Sequence, residues 1–235
     1  MKIIISKNCK KSIFTNKKYY VPITSSMAKA DFDPAFYGEI GKYLYVVKNK
    51  LITDQTIGFV KNNHYFSFLK NDLNDEIYEN LIIPDKIIAI VEKYSTFVAQ
   101  TGILNIIDEM KIYLKNKILN NITDENIIND ANQFITDFFD LLKNFIGEES
   151  YNILLNDQKI IPSNICILSN DVFYTYGQFL IELLDEVKKL PSYKKLIKHK
   201  DLPAKNKKIG EFISDRTLNI LNINKISVFC EHTKI

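Results

Sequence analysis

The sequence predicts a single mixed α/β domain over residues 1–235. Short apolar runs of strand length recur along the chain, amphipathic helical stripes separate them, and no repeat or low-complexity linker divides the 235 residues. A chain of this length is expected to build one sizeable hydrophobic core. We therefore expect a central sheet, mixed but mostly parallel, flanked by helices.

The first half of the chain alternates predicted strands with predicted helices. Asp33-Pro34 opens a helix, because Asp is a good N-cap and Pro suits the first helical position. Proline is expected to stop the second strand. Predicted strands are Lys2–Ser6, Tyr19–Ile23, Thr56–Val60 and Ser95–Ala99, and predicted helices are Pro34–Asn49 and Pro84–Lys93.

The second half begins with two long amphipathic helices, which we expect to be inserted in the middle of the fold. Their apolar stripes run from Ile103 to Leu114 and from Ile127 to Phe145. Lysines between Tyr193 and Lys208 predict a mobile basic loop. Predicted strands in this half are Asn164–Leu168 and Lys225–Cys230, and predicted helices are Phe173–Val187, stopped by Pro191, and Ile209–Leu221.

Charge and cysteine usage restrict the class of protein. Lys+Arg number 31 against 28 Asp+Glu, a net +3 with interspersed signs, so no broad positive face is predicted and nucleic acid is not an expected partner. Cys9, Cys166 and Cys230 have neither disulfide-framework nor zinc spacing, which fits a reducing compartment. No stretch has the length of a signal-peptide core or a membrane span. We expect a cytoplasmic protein whose contact with the inner face of a membrane, if any, is peripheral.

Polar residues follow the predicted strand Thr56–Val60 directly: Lys61, Asn62, Asn63 and His64. Open α/β sheets place ligands at the carboxyl ends of their strands. The sequence therefore predicts a ligand cleft at this position.

Five stretches of the sequence match motifs that occur together in one known family. They are Val21–Ile23, similar to "VPI"; Tyr37–Asn49, similar to "Y-x-E-L-T-x-x-Y-W-x-W-K-N"; Ile57–Phe68, similar to "I-G-L-x-H-Y-R-R-Y-F-x-F"; Asn164–Ile167, similar to "N-M-F-I"; and Gly210–Arg216, similar to "G-F-I-S-E-R". By their order and spacing along nearly the whole chain, they resemble a bacterial family of capsular-polysaccharide glycosyltransferases of the GT-A superfamily.

This resemblance implies a GT-A-like sheet that binds a nucleotide-diphosphate sugar and transfers the sugar to a glycan precursor. No cofactor follows with certainty, and a divalent metal has no support from the motifs. The family's "H-Y-R-R" positions are occupied by Lys61, Asn62, Asn63 and His64, so two guanidinium charges beside the expected diphosphate are absent. An alternative is therefore a catalytically degenerate member that serves as a binding or scaffolding module. A third is an unrelated α/β protein whose matches follow from composition.

The candidate catalytic residues are Asp215, His64 and Glu39. Asp215 is the best candidate for a general base, with a salt-bridged helix start after Ser214 as its structural alternative. His64 is placed to contact a phosphate or act as a base, or is an ordinary loop histidine. Glu39 binds the acceptor or forms half of a structural ion pair.

Donor-binding candidates come from the same five stretches. Adjacent residues on a helix face different directions, so one of Asp215 and Arg216 is expected to reach the site while the other pairs with Glu39 or the backbone. Asp31-Phe32-Asp33 spells a metal-binding Asp-x-Asp, but Asp33 is better explained as a helix cap. The predicted donor-binding residues are Pro22, Ile23, Lys61, Asn62, Asn63, Asn164 and Arg216.

Overall fold

A computed structural model of the 235-residue chain describes residues 1–7, 20–60, 64–66, 96–99, 105–156, 166–218, 227–230 and 232–234. The predicted helix over Pro84–Lys93 lies outside these residues. All structural statements below refer to the described ranges.

A six-stranded mixed sheet forms the centre of the fold, in the order β2-β1-β3-β6-β5-β7. β1 pairs in parallel with β2 and β3, β5 pairs in parallel with β7, and β6 runs antiparallel to both β3 and β5. A separate antiparallel pair joins β4 to β8. The strands are β1 Lys2–Lys7, β2 Tyr20–Thr24, β3 Thr56–Val60, β4 His64–Phe66, β5 Thr96–Ala99, β6 Cys166–Ser169, β7 Ser227–Cys230 and β8 His232–Lys234.

Helices occupy most of the remaining described chain. They are α1 Ser25–Ala28, α2 Pro34–Tyr37, α3 Ile40–Asn49, α4 Ile106–Ile118, α5 Glu125–Ile146, α6 Glu148–Asn156, α7 Asn170–Lys189, α8 Pro191–Leu196 and α9 Ile209–Thr217, with a short 3-10 helix at Ala204–Lys207. The two long amphipathic helices predicted in the middle are α4 and α5, which lie between β5 and β6 in the chain. Among the described residues, no helix combines the length and the apolar character needed to cross a bilayer.

Pro22 lies inside β2 and does not stop it. It pairs in register with Ile5 of β1. β2 is an edge strand of the described sheet. Proline has no backbone N–H, and an edge strand tolerates it because one side of that strand has no neighbouring strand to bond. The expectation that proline would end this strand was therefore wrong.

The predicted helix Pro34–Asn49 is two helices, separated at Gly38. Asp33 caps α2 as expected, accepting a hydrogen bond from the Ala35 amide at 2.9 Å. Gly38 then adopts φ +52° and ψ −130°, a conformation that only glycine enters readily, and α3 starts afresh at Ile40. The break turns the second helix onto the sheet.

An aromatic contact holds α3 between the sheet and α7. The Tyr43 ring lies 5.5 Å from Phe59 of β3 and 4.7 Å from Phe173 of α7, centroid to centroid. Its hydroxyl donates to the Phe173 carbonyl at 2.9 Å, which satisfies the polar atom of a side chain that is 1% exposed. α3 is thereby fixed in orientation as well as position.

Gly177 allows α7 to approach α3 closely, and we predict that Gly177→Ala is destabilising. A Cβ at Gly177 would lie 2.4 Å from Val47 Cγ2 and 2.8 Å from Val47 Cγ1. Overpacking of this kind costs about 1–3 kcal/mol, which outweighs the gain of about 1 kcal/mol in helix propensity. Denaturant unfolding measures the change. A Val47→Ala background removes both Cγ clashes and leaves only the Val47 Cβ, 3.1 Å from the added Cβ, so the penalty of the same substitution should fall sharply; an unchanged penalty there would contradict this explanation.

The helical layer is built on the predicted apolar stripes. Met110 and Leu114 of α4 and Phe134, Phe138 and Leu142 of α5 are all 0% exposed. Asp124 caps α5 by accepting from the Asn126 amide at 2.8 Å. Within the described residues these stripes are confirmed as core, except that Phe145 is only partly buried; Ile103 lies outside the described residues.

The chain between Tyr193 and Lys208 is not the mobile loop that its composition suggested. It contains α8 and the 3-10 helix, and three side chains fasten it. Asn206 Nδ2 donates to the carbonyls of Ile118 and Asn120 at 2.8 and 3.1 Å, and Lys207 Nζ donates to those of Ile197 and His199, both at 3.0 Å. The third, His199, lies 2.8 Å from Asp130 of α5.

Candidate functional site

Two polar side chains from distant parts of the sequence meet where α9 packs on α4. The Tyr113 hydroxyl donates to Asp215 Oδ2 at 2.8 Å, across 102 residues of sequence. Asp215 is 7% exposed. Burial, together with the adjacent Asp215 carboxylate, raises the pKa of Tyr113 well above its ordinary value. Tyr113 therefore stays protonated and acts as a fixed donor to this carboxylate.

The next residue, Arg216, also faces α4. Its Nε donates to Glu109 Oε2 at 2.8 Å and Oε1 at 3.1 Å, and its guanidinium carbon lies 3.7 Å from the centre of the Tyr113 ring. The expected backbone contact of this pair is present, since Arg216 Nη1 donates to the Asp215 carbonyl at 3.4 Å. The ion pair described for Arg216 is with Glu109, where Glu39 had been expected. Tyr113 contacts both Asp215 and Arg216.

A second group of charges lies where α9 passes the break between α2 and α3. Lys42 of α3 is 2% exposed, which is rare for a lysine. Burial lowers the pKa of Lys42, the carboxylates of Glu39 and Glu211 act in the opposite direction, and Lys208 adds to the lowering. Lys208 Nζ is 3.8 Å from Glu211 Oε2.

Gly38 accommodates the Glu211 side chain. A Cβ at Gly38 would lie 1.7 Å from Glu211 Oε2, so this carboxylate occupies the space that any other residue would fill. The glycine that breaks the predicted helix thus also admits a charged group from α9.

These two groups form one cluster, because Glu211 lies within electrostatic range of both Lys42 and Tyr113. We call it the buried polar cluster; it consists of Glu39, Lys42, Glu109, Tyr113, Glu211, Asp215 and Arg216. Burying ionised groups costs several kcal/mol each unless they are paired, and buried ion pairs contribute little to stability. Lys42, Asp215 and Arg216 are buried and the other four members half-buried, and charges at this depth mark a candidate site for an ionic ligand.

The direction of the chain orients the cluster relative to the sheet. α3 follows β2 and ends six residues before β3 begins, and both strands run parallel to β1. A helix connecting parallel strands runs antiparallel to them, so the amino end of α3, with Glu39 and Lys42, points toward their carboxyl ends. Ligands of open α/β sheets bind at that edge.

The structure locates some of the predicted site residues and leaves others outside its description. Glu39, Asp215 and Arg216 belong to the buried polar cluster. Pro22 is exposed, and Ile23, at 2% exposure, belongs to the apolar core. The remaining predicted residues are not described or are described only in the backbone: Lys61, Asn62, Asn63 and Asn164 lie outside the described ranges, and His64 begins β4, opposite Lys234.

The Asp31-Phe32-Asp33 motif forms no joint carboxylate site. Asp33 caps α2, and Asp31 Oδ1 lies 2.5 Å from Lys48 Nζ, an ion pair that lowers the pKa of Asp31. The capping interpretation is confirmed. Within the described ranges, no group of three or more His, Cys, Asp or Glu side chains is arranged to hold a metal ion.

Four members of the cluster were missed from sequence: Lys42, Glu109, Tyr113 and Glu211. Glu109 and Tyr113 are four residues apart on α4 and border its apolar stripe, which was a usable signal for a shared helix face. Lys42 carried no such signal, because its neighbours Gly41 and Tyr43 face other directions on the helix. Glu211 is the residue by which Gly210–Arg216 is longer than the "G-F-I-S-E-R" pattern, so the resemblance gave it no role.

Fold and site together define a mixed α/β domain with a buried ionic cluster enclosed by helices. The chain belongs to the family described as a domain of unknown function, DUF4422, which matches residues 33–225 and so includes every member of that cluster. No curated protein matches the sequence.

A solved structure with the same fold is the WbbM bifunctional glycosyltransferase in its apo form. The similarity has a TM-score of 0.69 at 18% sequence identity and covers 100% of this chain and 45% of the WbbM chain. This chain therefore spans less than half of that protein. At this identity the comparison establishes the fold.

Proposed function

We propose that this protein is a glycosyltransferase that moves a sugar from a nucleotide-diphosphate donor to a glycan precursor, such as one for a cell-surface polysaccharide, with the buried polar cluster as its active site. The observation that carries the proposal is the Asp215 carboxylate, fixed by the hydroxyl of Tyr113, whose ring also lies against the Arg216 guanidinium. The fold shared with the WbbM bifunctional glycosyltransferase supports the same class of reaction.

Asp215 is assigned as the general base. Glycosyl transfer requires removal of a proton from the acceptor hydroxyl as that oxygen attacks the anomeric carbon. A base must be held in one orientation to do this, and the 2.8 Å bond from Tyr113 supplies the restraint. Because Tyr113 keeps its own proton, the proton that Asp215 takes up comes from the acceptor hydroxyl.

Cations of the cluster are assigned to the donor diphosphate, whose leaving group accumulates negative charge. Lys42 is buried among carboxylates and presents a compact ammonium at the amino end of α3. We propose that the diphosphate replaces the Glu39 and Glu211 carboxylates as the partner of this ammonium. This role would compensate for the guanidinium groups absent from Lys61–His64.

One observation favours the non-catalytic alternative. Both carboxylate oxygens of Glu109 lie within 3.1 Å of Arg216 Nε, so the strongest cation of the cluster is already neutralised. A protein in this condition could bind a nucleotide or a partner without turnover.

Calorimetric titration with uridine, guanosine and cytidine diphosphate sugars tests the proposal. We expect one of the three to bind, and turnover to appear as release of the free nucleoside diphosphate when glycan acceptors are added. Binding without turnover would support the non-catalytic alternative. No binding of any donor would refute both.

Lys42→Met is predicted to weaken binding of the nucleoside diphosphate by about tenfold or more, since a buried charged hydrogen bond contributes roughly 1.5–3 kcal/mol. Binding of the corresponding nucleoside, which lacks phosphate, should change little. Calorimetry of both ligands separates the two effects. Lys48→Met provides the matched control, because Lys48 is on the same helix but exposed and paired with Asp31. Equal losses for nucleoside and diphosphate would contradict the assignment.

A further inference from the structure

The positive charge of this chain is concentrated in one segment. Residues 188–208, which we call the basic segment, contain nine lysines and no arginine, against a single acidic residue, Asp201. Its formal charge is +8, so the remaining residues must carry −5 to give the chain total of +3. From the net charge of the whole chain, interspersed positive and negative residues were expected. That total does not show the uneven distribution of charge along the sequence.

The structure holds this segment as an ordered platform. Leu202 and Asn206 are 2% and 1% exposed and anchor it from within, and Asn206 and Lys207 tie it to backbone carbonyls. Its lysines are therefore presented at fixed positions on a folded surface.

Several lysines of the platform are directed to solvent. Lys188, Lys189, Lys195 and Lys208 have carboxylate partners. Four further exposed lysines form no ion pair with any described residue, and Lys194 and Lys198 among them lie one turn apart. These four are Lys194, Lys198, Lys200 and Lys205.

We propose that the basic segment docks this protein on an anionic phospholipid surface. A cluster of four to eight lysines is attracted by the negative potential of such a surface, each residue contributing up to about 1 kcal/mol. The inference stands on this surface alone and does not require the proposed sugar transfer.

Residue chemistry favours a lipid surface over nucleic acid. Nucleic-acid sites combine cations with exposed aromatic rings for base stacking and favour arginine for bidentate phosphate contacts. The segment contains no arginine, and Tyr193, its one aromatic residue, is 7% exposed and packs on Phe36 and Phe134. Lysine ammonium groups, which act as hydrated point charges, suit a diffuse anionic surface.

The position of the segment relates this surface to the candidate site. α9, which carries Glu211, Asp215 and Arg216, begins at Ile209, immediately after Lys208. Lys208 itself contacts Glu211. Docking through the basic segment would hold the buried polar cluster next to the membrane surface.

Co-sedimentation with vesicles tests the proposal, using the full chain and vesicles of phosphatidylcholine with or without about 30% phosphatidylglycerol at near-physiological salt. The test variant changes Lys194, Lys198, Lys200 and Lys205 to Gln. The control variant changes four exposed lysines elsewhere, Lys29, Lys50, Lys111 and Lys115, to Gln and so removes the same net charge.

We expect binding to the anionic vesicles only, weakened more than tenfold in the test variant, retained in the control and diminished by added salt. Circular dichroism melting confirms that both variants are folded. Failure of the wild-type chain to bind anionic vesicles, or an equal loss in the two variants, would overturn the proposal. Equally tight binding to a single-stranded oligonucleotide, lost in the test variant alone, would overturn it in favour of a soluble polyanion.

Discussion

Asp215→Asn is expected to reduce sugar transfer by about 10²–10⁴-fold, the contribution typical of a positioned general base. The substitution conserves shape, and the amide oxygen can still accept the hydrogen bond from Tyr113. What the variant loses is the ability to take up a proton. Initial rates with the donor identified by titration measure the effect, and donor affinity should stay within a few-fold of wild type.

Asp130→Asn is the matched control for this substitution. Asp130 is also a nearly buried carboxylate, 9% exposed, but it pairs with Lys195 and His199 on the side of α5. Its loss should lower the melting temperature and leave transfer essentially unchanged. If instead Asp215→Asn retained full activity, Asp215 would be a structural ion-pair member, which is the alternative that the sequence left open.

A substitution at Tyr113 distinguishes the two roles considered for Asp215, a positioned general base and a structural carboxylate. Tyr113→Phe removes the hydrogen bond to Asp215 but keeps the ring against Arg216. Under the proposed mechanism the variant lowers kcat more than it raises KM, because orientation of the base matters in the transition state. A purely structural role would reduce stability without this separation.

The elements that the sequence predicted well are those determined by local periodicity. The α5 stripe from Ile127 to Leu142 and the buried strand Thr56–Val60 follow directly from the spacing of apolar residues. The cap at Asp33 follows from local chemistry as well. Each of these depends on residues within one or two turns of one another.

The candidate site was predicted less completely, because its contacts join distant residues. Tyr113 and Asp215 are 102 positions apart, and Glu109 and Arg216 are 107 apart. Periodicity indicates which face of α4 or α9 is buried but not which residue lies opposite. The motif resemblance supplied Glu39, Asp215 and Arg216, whereas Lys42 and Glu211, which the resemblance did not mark, could be found only from the packing.

The break at Gly38 shows the same limit in the backbone. Asp33-Pro34 and the apolar spacing up to Asn49 predict an uninterrupted helix, and each of its two glycines, Gly38 and Gly41, is locally tolerable. The interruption follows from the tertiary structure, since Glu211 from α9 occupies the space beside Gly38. A local prediction has no access to that contact.

Gly38→Ala is therefore expected to be among the most damaging single substitutions in the chain. A φ of +52° with ψ −130° is strained for any residue with a Cβ, at a cost of about 1–3 kcal/mol, and the clash with Glu211 adds a comparable amount. For a domain of this size each kcal/mol lowers the melting temperature by about 2–4 °C. Scanning calorimetry should thus show a fall of roughly 5–20 °C.

Gly147→Ala separates the cost of backbone strain from the cost of the clash with Glu211. Gly147 also has a positive φ, +84°, but a Cβ there would meet no atom within 4 Å, so this variant reports backbone strain without a clash. A double-mutant cycle with Glu211→Ala isolates the remainder, because removing the Glu211 side chain should recover the clash energy and leave the strain. A coupling energy near zero between positions 38 and 211 would show that Glu211 does not occupy the space beside Gly38. The buried polar cluster would then lose the contact through which α9 reaches Lys42.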